Sequence, residues 1–270
     1  MKNLSVSPGE FLSVYRRQLE RTRKLLARCA RDPSYDNIHD ARASIRKLEA
    51  ALSLMPKSFR RDRRSVSFMS RLESFYDLTT SLADHEAALR VLVALDPGSQ
   101  PRALPPRTIQ EQADLQTKAR TLATLARGLI PPHVRRDDLS RRKLTARLRK
   151  RSATLARKVV VNGRGAAEGR HDIRELHRLR RDTRRLRYVI RYFEPSKGRS
   201  TLCQQLRSIQ DFLGSVRDCD GALLLLSRCG TSKSDPAFVR LASKREAMYA
   251  SFKRARAGTL DSVRALASIA

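Results

Sequence analysis

Apolar residues recur every three to four positions along almost the whole chain, which is the period of an amphipathic α-helix. The alternation of apolar and polar residues that is typical of β-strands is scarce, apart from the short run 159–161. The predicted fold class is therefore all-α. The predicted helices cover residues 10–31, 36–55, 61–95, 107–129, 138–161, 171–193, 199–229 and 235–267.

Two stretches interrupt this pattern. Residues 96–107, DPGSQPRALPPR, hold four of the chain's 11 prolines and predict a connecting loop, because proline has no backbone N–H to donate within a helix. The segment NGRGAAEG, which begins at Asn162, lacks the lysine and the glycine spacing of a phosphate-binding P-loop. It predicts an ordinary glycine-rich turn.

The sequence contains an internal repeat. IHDARASIRKLEAAL from Ile38 aligns with LHRLRRDTRRLRYVI from Leu176 at an offset of 138 residues, and SLADHEAALRVL from Ser81 aligns with SVRDCDGALLLL from Ser215 at an offset of 134. Two matches at nearly the same offset predict a duplicated unit of about four helices. The predicted single domain and its two half-repeats span 7–267, about 7–130 and about 137–267.

The charge of the chain restricts its ligands. Lys and Arg number 57 against 27 Asp and Glu, which gives a net charge of +30, and 45 of the 57 basic residues are arginine. The planar guanidinium group suits two-pronged contacts with phosphate and stays charged at any relevant pH. With 40% hydrophobic and 31% charged residues, the chain is too apolar for a disordered tail and too polar for a membrane protein. The composition therefore predicts a folded protein that binds a polyanion.

The strongest candidate binding surface lies within residues 177–191, which include seven arginines and a single acid. At about 100° per residue, His177, Arg180, Arg181 and Arg184 share one face of the helix, opposite the apolar stripe. Like charges at this spacing repel one another. Such a ridge predicts a polyanion that neutralises it.

Four acids in the repeat could be read as ligands for Mg²⁺: Asp84, Glu86, Asp218 and Asp220. Among so many arginines, they are predicted instead to orient guanidinium groups, for example that of Arg217. The sequence shows no P-loop, no H-E-x-x-H, no G-x-S-x-G and no Ser, His, Asp ordering, so neither an enzyme nor a cofactor or metal is indicated. A metal-dependent phosphohydrolase that uses the Asp pairs stays open as a less favoured alternative.

The cysteines and the amino terminus bear on the cellular compartment. The four cysteines form no C-x-x-C pair, so they predict free thiols in a reducing compartment. The first ten residues, MKNLSVSPGE, lack the apolar run of a signal peptide, and nowhere do about 18 apolar residues follow one another. The predicted location is the cytoplasm.

The spacing of the histidines and arginines resembles the CHAD family, an α-helical domain named for its recurring histidines. The motif H-x-x-R-x-x-x-R-x-L is present as His39, Arg42, Arg46 and Leu48, and again as His177, Arg180, Arg184 and Leu186. The family element Q-x-x-L-G-x-x-R-D-x-D is present as Gln210, Leu213, Gly214, Arg217, Asp218 and Asp220. The likeness covers most of the chain, from about residue 7 to about residue 267.

The first repeat departs from the family pattern. Glu49 occupies the place of a family arginine, and Ala83 precedes Asp84 where arginine is expected. Thr79 and Thr80 replace the Leu-Gly step. These departures predict an asymmetric site to which the first half contributes less.

The resemblance implies two four-helix half-bundles, related by a pseudo-twofold axis, with a central basic groove. It also implies binding of inorganic polyphosphate and, in bacteria, association with polyphosphate granules. Since no catalytic motif is found, the leading hypothesis is a non-catalytic polyphosphate-binding protein. The E-x-E-x-K motif of the CYTH-type triphosphatase domains that are often fused to family members is not found. The predicted polyphosphate-binding residues are His39, Arg42, Arg46, Lys47, His177, Arg180, Arg181, Arg184, Arg187 and Arg217.

Nucleic-acid binding is the main alternative, since the net charge of +30 would support it without any motif. Aromatic residues make up only 5% of the chain and Trp is absent, so platforms on which single-stranded bases could stack are few. Composition alone predicts only a polyanion ligand, and the resemblance to the CHAD family is what favours polyphosphate.

Overall fold

The computed structural model describes residues 6–95, 106–128, 131, 133–168, 173–192 and 201–268. This part of the chain forms α-helices and one short 3-10 helix, Arg136–Asp138, and contains no β-strand. The predicted all-α fold class is confirmed. The α-helices are α1 (Pro8–Arg31), α2 (Tyr35–Leu52), α3 (Lys57–Arg61), α4 (Arg63–Leu95), α5 (Pro106–Gly128), α6 (Arg141–Glu168), α7 (Ile173–Ile190), α8 (Thr201–Arg228) and α9 (Pro236–Ala267).

The first and last helices begin at strong sequence signals. The Ser7 side chain accepts a hydrogen bond from the backbone N–H of Glu10, and the Glu10 carboxylate accepts one from the backbone N–H of Ser7, which is a complete capping box. At α9, the Asp235 carboxylate accepts from the backbone N–H of Ala237. Each helix has proline in its first turn, where no backbone N–H is needed. These caps fix where α1 and α9 start.

The helices pack in two sets. Helix α1 packs against α2 and α5, and α4 packs against α2 and α5; α6 packs against α7 and α9, and α8 packs against α7 and α9. The two sets meet where α4 contacts α8 and α2 contacts α7. Large side chains that are almost fully buried fill the core, including Phe11, Leu26, Phe68, Phe75 and Phe252. The division of the chain into half-repeats stays a prediction. The contacts between the two sets determine which helix faces lie opposite one another.

The prediction of a glycine-rich turn at NGRGAAEG is wrong, because α6 continues through this segment to Glu168. The glycine at position 163 allows α9 to approach closely. A Cβ placed on Gly163 would lie 2.8 Å from a methyl group of Leu260. Two side chains of α9 also donate to carbonyl oxygens of this stretch: Arg256 to Gly163 at 2.9 Å and Tyr249 to Ala166 at 2.7 Å. Contact with α9 therefore holds this turn of α6 in helical form.

Other boundaries differ by a few residues. The helix predicted to end at residue 55 ends at Leu52. The helix predicted for 61–95 begins at Arg63 as α4, and the short helix α3 precedes it. Helix α5 already begins at Pro106, inside the predicted loop, while residues 96–105 lie outside the described part of the chain. Proline tolerates the first turn of a helix, which explains this start.

The cysteine sulfur atoms are not bonded to one another. Cys29 and Cys219 are buried, Cys203 is partly buried and Cys229 is exposed, and all four are free thiols. None of the helices within the described ranges has an apolar stretch long enough to span a membrane.

Candidate anion-binding site

Guanidinium groups from both sets of helices meet where α2, α4, α7 and α8 come together. Arg42 and Arg46 project from α2, Arg180 and Arg184 from α7, and Arg217 from α8. Their charges act on one another across the helices: Arg46 affects Arg184, and Arg217 affects both Arg42 and Arg180. We call these five residues the arginine cluster. The helical spacing predicted each ridge, and the tertiary structure brings the ridges together.

Arg42 is held by the protein itself. Its side chain is only 5% exposed and its Nη1 donates to the carbonyl oxygen of Tyr76, to Thr79 Oγ1 at 3.0 Å and to Thr80 Oγ1 at 3.1 Å. The guanidinium carbon also lies 3.9 Å from the centre of the Tyr76 ring. Burial is the main cause that lowers the pKa of Arg42. The Nη1 donors of Arg42 are therefore used within the protein.

Arg46 is partnered by the same tyrosine. Its Nη1 donates to the hydroxyl oxygen of Tyr76 at 3.0 Å, and its guanidinium carbon lies 5.5 Å from the centre of the ring. Burial opposes ionisation of Tyr76, but the guanidinium groups of Arg46 and Arg42 outweigh burial and lower the pKa of the hydroxyl. Tyr76 is thus a bridge between the two arginines of α2.

Arg180 and Arg184 of α7 are half-buried and have fewer protein partners than Arg42. Arg180 packs against Gly214 of α8, where an added Cβ would lie 3.4 Å from its Nη2, and the buried Nε of Arg180 has no hydrogen-bond acceptor within the described part of the protein. Burial and the charge of Arg217 lower the pKa of Arg180. Burial and the charges of Arg46 and Arg180 lower the pKa of Arg184 to about 9. Positive charge is therefore concentrated here, and no carboxylate of the described residues forms an ion pair with Arg180 or Arg184.

Carboxylates border the cluster on one side. Arg217 forms an ion pair with Asp84 of α4, the neighbouring helix, and not with Asp218 beside it in sequence. Burial raises the pKa of Asp218, although the guanidinium groups of Arg180 and Arg217 oppose the rise. Asp220 pairs with Arg245, with 2.5 Å between its carboxylate and Nε. The ion pair between α8 and α4 positions Arg217 within the cluster.

The two predicted histidines lie at the edge of the cluster and are more exposed than its arginines. His39 stacks on Tyr35 with 6.0 Å between ring centres, and its Nδ1 lies 3.8 Å from the Asp40 carboxylate. Partial burial lowers the pKa of both His39 and His177, and nearby arginines lower it further. Both imidazoles are therefore neutral at pH 7 in the free protein.

The remaining predicted residues lie beside the cluster. Lys47 and Arg187 both interact electrostatically with Tyr188, and the guanidinium carbon of Arg187 lies 5.3 Å from the centre of its ring. Tyr188 itself is 7% exposed, so it packs in the interior. Arg181 is exposed and lines a neighbouring cavity with Arg184.

This cavity, of about 550 Å³, lies between α2, α4, α6 and α7. It shares Arg46, Tyr76 and Arg184 with the site described above. Its α6 and α7 side is formed by Arg151, Arg181, Arg184 and Arg185, and its α2 and α4 side includes Glu49, Glu73 and Asp77. The cavity therefore has one basic wall and one wall that carries carboxylates.

Sequence reasoning missed two residues of this region. Tyr76 lies 30 residues from Arg46 in sequence, so their contact across two helices leaves no local signal. Arg185 follows Arg184 on α7, and the packing of α7 against α6 shows that it lines the same cavity as Arg151. Arg151 is the last residue of the basic run 141–151, which the sequence indicates as a further basic face.

No three side chains of the types His, Cys, Asp or Glu are grouped so that they could hold a metal ion within the described ranges. The acids that might have served as metal ligands include two that pair with arginine, Asp84 and Asp220. The guanidinium groups of the arginine cluster can donate hydrogen bonds to an anion and pair with its charge.

The described part of the chain is thus an α-helical domain in which arginines of α2, α7 and α8 lie close together. The family model of the CHAD domain matches residues 13–227. The chain therefore belongs to the CHAD family, as the sequence motifs predicted.

The crystal structure of the CHAD domain from the plant Ricinus communis is similar to this chain, with 18% sequence identity and a TM-score of 0.46. The match covers 99% of this chain and 94% of the plant chain. A comparison with curated proteins finds no match.

Proposed function

We propose that this protein binds inorganic polyphosphate without catalysing its conversion, and that the arginine cluster is the centre of the binding site. The observation that carries the proposal is the closeness of the half-buried Arg180 and Arg184, whose charges act on one another, with no carboxylate in an ion pair with either within the described part of the chain. Burying like charges together is costly unless an opposite charge compensates them. A linear polyanion laid between α2 and α7 would supply that charge.

The ligand would be held by charge-assisted hydrogen bonds. Guanidinium groups donate in a planar fork that matches phosphate oxygens, and such bonds are about twice as strong as neutral ones. Arg180 and Arg46 each have a buried Nε without a hydrogen-bond acceptor among the described residues, while Nη1 of Arg42 already donates to three protein oxygens. Arg180, Arg184 and Arg46 would therefore contribute more of the affinity than Arg42. His39, His177, Lys47, Arg181 and Arg187 would extend the contacts around the cluster.

The choice of polyphosphate over other polyanions rests on membership of the CHAD family. Nucleic acid would satisfy the same guanidinium groups through its phosphates. Tyr76 lies under the guanidinium of Arg42 and Tyr188 is buried, so neither ring offers an open platform for a base. This supports a ligand that consists of phosphate alone.

The first experiment measures affinity for long-chain polyphosphate and for duplex DNA at about 0.15 M and about 0.5 M salt. The wild type is compared with the double variant Arg180→Ala/Arg184→Ala. A matched control, Arg120→Ala/Arg240→Ala, removes the same charge from exposed positions on α5 and α9. We expect polyphosphate binding to persist at higher salt than DNA binding and to collapse only in the cluster variant.

Two outcomes would contradict the proposal. Equal and equally salt-sensitive binding of both polymers, unaffected by the cluster variant, would reduce the site to a diffuse basic surface. Phosphate release from polyphosphate in the presence of Mg²⁺, lost in Asp218→Asn, would show a metal-dependent phosphohydrolase. The assay for released phosphate is run on the same samples.

We further propose that binding places the protein at polyphosphate granules, as its family membership suggests. A fluorescently tagged chain should colocalise with granules, and the Arg180→Ala/Arg184→Ala variant should be dispersed. An equally localised variant would mean that something other than the arginine cluster recruits the protein.

A further inference from the structure

The cavity beside the arginine cluster has a property that polyphosphate binding at the cluster alone does not explain. Arg184 belongs to both places, so the basic surface continues from the cluster into the cavity without interruption. Along α7 it passes to Arg181 and Arg185, and across the cavity it reaches Arg151 of α6. All three of these side chains are exposed.

The basic surface extends beyond the cavity onto α3. Arg60 of α3 and Arg185 of α7 are both close enough to Arg151 to lower its pKa, after burial as the main cause. Arg60 has the same effect on Arg147 of α6, whose Nε donates to the carbonyl oxygen of Leu54 at 2.8 Å. The three helices therefore present their guanidinium groups to one region of the surface. We call Arg60, Arg151 and Arg185 the exit cluster.

Two carboxylates act on the exit cluster from a distance: Asp182 opposes the fall in the pKa of Arg151, and Arg185 opposes the rise in the pKa of Glu49. None of its three guanidinium groups forms an ion pair with a carboxylate of the described residues, whereas Arg217 and Arg245 elsewhere in the protein do. A group of like charges at the surface attracts a polyanion and is stabilised by it. The unpaired state of the exit cluster is what a subsite for phosphate requires.

The carboxylates on the α2 and α4 side of the cavity restrict the path that a polyphosphate chain can take through it. Glu49 is half-buried, and Glu73 and Asp77 stand on the neighbouring face of α4. Burial raises the pKa of Glu49, and the charges of Arg185 and Arg46 oppose the rise. Carboxylates repel phosphate oxygens, so a polyphosphate chain that enters the cavity from Arg184 is turned away from α2 and α4 and towards α6 and α7.

We propose that the exit cluster is a second polyphosphate subsite, which binds the chain where it leaves the arginine cluster and makes the protein selective for long chains. This inference rests on the proposed function. It adds the path that the bound polyphosphate takes out of the arginine cluster and the dependence of affinity on polyphosphate chain length. A short oligophosphate occupies the arginine cluster alone. A long chain bridges both subsites, and the second contact forms within one complex at high effective concentration.

The test compares tripolyphosphate with long-chain polyphosphate. The dissociation constant of each is measured for the wild type, for Arg60→Ala/Arg151→Ala/Arg185→Ala, and for the control Arg120→Ala/Arg127→Ala/Arg240→Ala. Both triple variants remove three exposed arginines, so they change the net charge equally. Circular dichroism and thermal melting establish that each variant is folded.

We expect the exit-cluster variant to weaken long-chain binding by about tenfold or more, while tripolyphosphate binding changes by less than about twofold. The control should weaken long-chain binding by much less. An equal loss for both ligands would place these arginines in the primary site, and an equal loss in the control would show a diffuse charge effect; either result overturns the inference but not the proposed function. A wild type that binds neither ligand overturns both.

Discussion

Arg42 and Arg180 occupy equivalent positions in the two sequence repeats, but their surroundings differ. Arg42 donates to the hydroxyl oxygens of Thr79 and Thr80, while Arg180 packs against Gly214, which aligns with Thr80. Glycine has no side chain to accept a hydrogen bond, so the Nε of Arg180 is left without a protein acceptor. The Thr-Thr step that departs from the family motif thus satisfies one arginine, and the Leu-Gly step leaves its counterpart available.

This difference predicts the effect of Gly214→Ser. The new hydroxyl would lie within reach of the Arg180 guanidinium and accept a bond that a phosphate oxygen would otherwise take, so polyphosphate affinity should fall about threefold to tenfold. The measurement is a binding titration. Gly258→Ser is the matched control, since a Cβ on Gly258 meets nothing within 4 Å and affinity should be unchanged there. Unaltered affinity in Gly214→Ser would argue against Arg180 as a ligand.

Arg184 presents a conflict between stability and binding. Burial and two neighbouring guanidinium groups lower its pKa to about 9, which means that its charged form is held in an unfavourable place. Arg184→Met removes that charge and keeps most of the volume, so the free energy of unfolding should rise by about 1–2 kcal/mol and Tm by a few degrees. Polyphosphate affinity should fall at the same time.

Thermal melting and binding assays on the same preparation check this prediction. Arg240→Met on the exposed face of α9 is the control and should leave both quantities nearly unchanged. A less stable Arg184→Met protein would mean that the guanidinium makes favourable contacts that outweigh its burial.

The histidines predict a pH dependence of binding. Partial burial and the charges of Arg217 and Arg180 keep the pKa of His177 below its ordinary value in the free protein, and bound phosphate would raise it. Because the complex then holds more protons than the free protein, affinity should rise as pH falls through the higher pKa and level off below the lower one. Over this window we expect a gain of about threefold to tenfold.

The dissociation constant, measured from about pH 8 to about pH 5.5, checks this sign. The double variant His39→Gln/His177→Gln should have a flatter profile, because glutamine does not titrate. An identical profile in wild type and variant would assign the pH dependence to other groups.

At the scale of helices, the sequence predicted what depends on local pattern. The apolar stripe and the arginine ridge of α7 follow from the helical period of a single segment, and this helix is confirmed. The membership of the chain in the CHAD family is also confirmed. Contacts between helices are not encoded in any one segment. In the sequence, Gly163 predicts a break in the helix, whereas in the structure Leu260 of α9 packs against this glycine. Tyr76 belongs to no sequence motif, although it bridges two arginines of α2.

The contact between α6 and α9 leads to a prediction about Gly163. A leucine there has no room beside Leu260, so Gly163→Leu should lower the free energy of unfolding by about 1–3 kcal/mol through overpacking. Denaturant unfolding measures the change. In Gly258→Leu the same substitution falls on an exposed position of α9 and should raise stability by up to about 0.8 kcal/mol, since leucine is the better helix former. Two variants of equal stability would show that α6 does not depend on this close approach.

At the scale of the whole molecule, charge works against the fold that carries the site. A net charge of +30 over 270 residues produces repulsion that the compact state must overcome. Within the arginine cluster, the charges of Arg46 and Arg180 also repel that of Arg184. Polyphosphate binding would relieve both, so ligand affinity and stability of the protein are coupled.

That coupling predicts opposite effects of salt on the free protein and on the complex. Raising NaCl from about 0.05 M to about 0.5 M screens the repulsion, so Tm of the free protein should rise by about 2–5 °C. Over the same range, polyphosphate affinity should fall by about a thousandfold or more, because counterions displaced on binding are restored to the ligand. In Arg180→Ala/Arg184→Ala, the slope of log affinity against log salt should be smaller by about 0.7–0.9 for each lost phosphate contact. Calorimetry of the free protein and titrations at several salt concentrations measure the two effects separately. A free protein whose Tm falls with salt would show that its ion pairs, such as that between Arg217 and Asp84, contribute more to stability than its like charges take away.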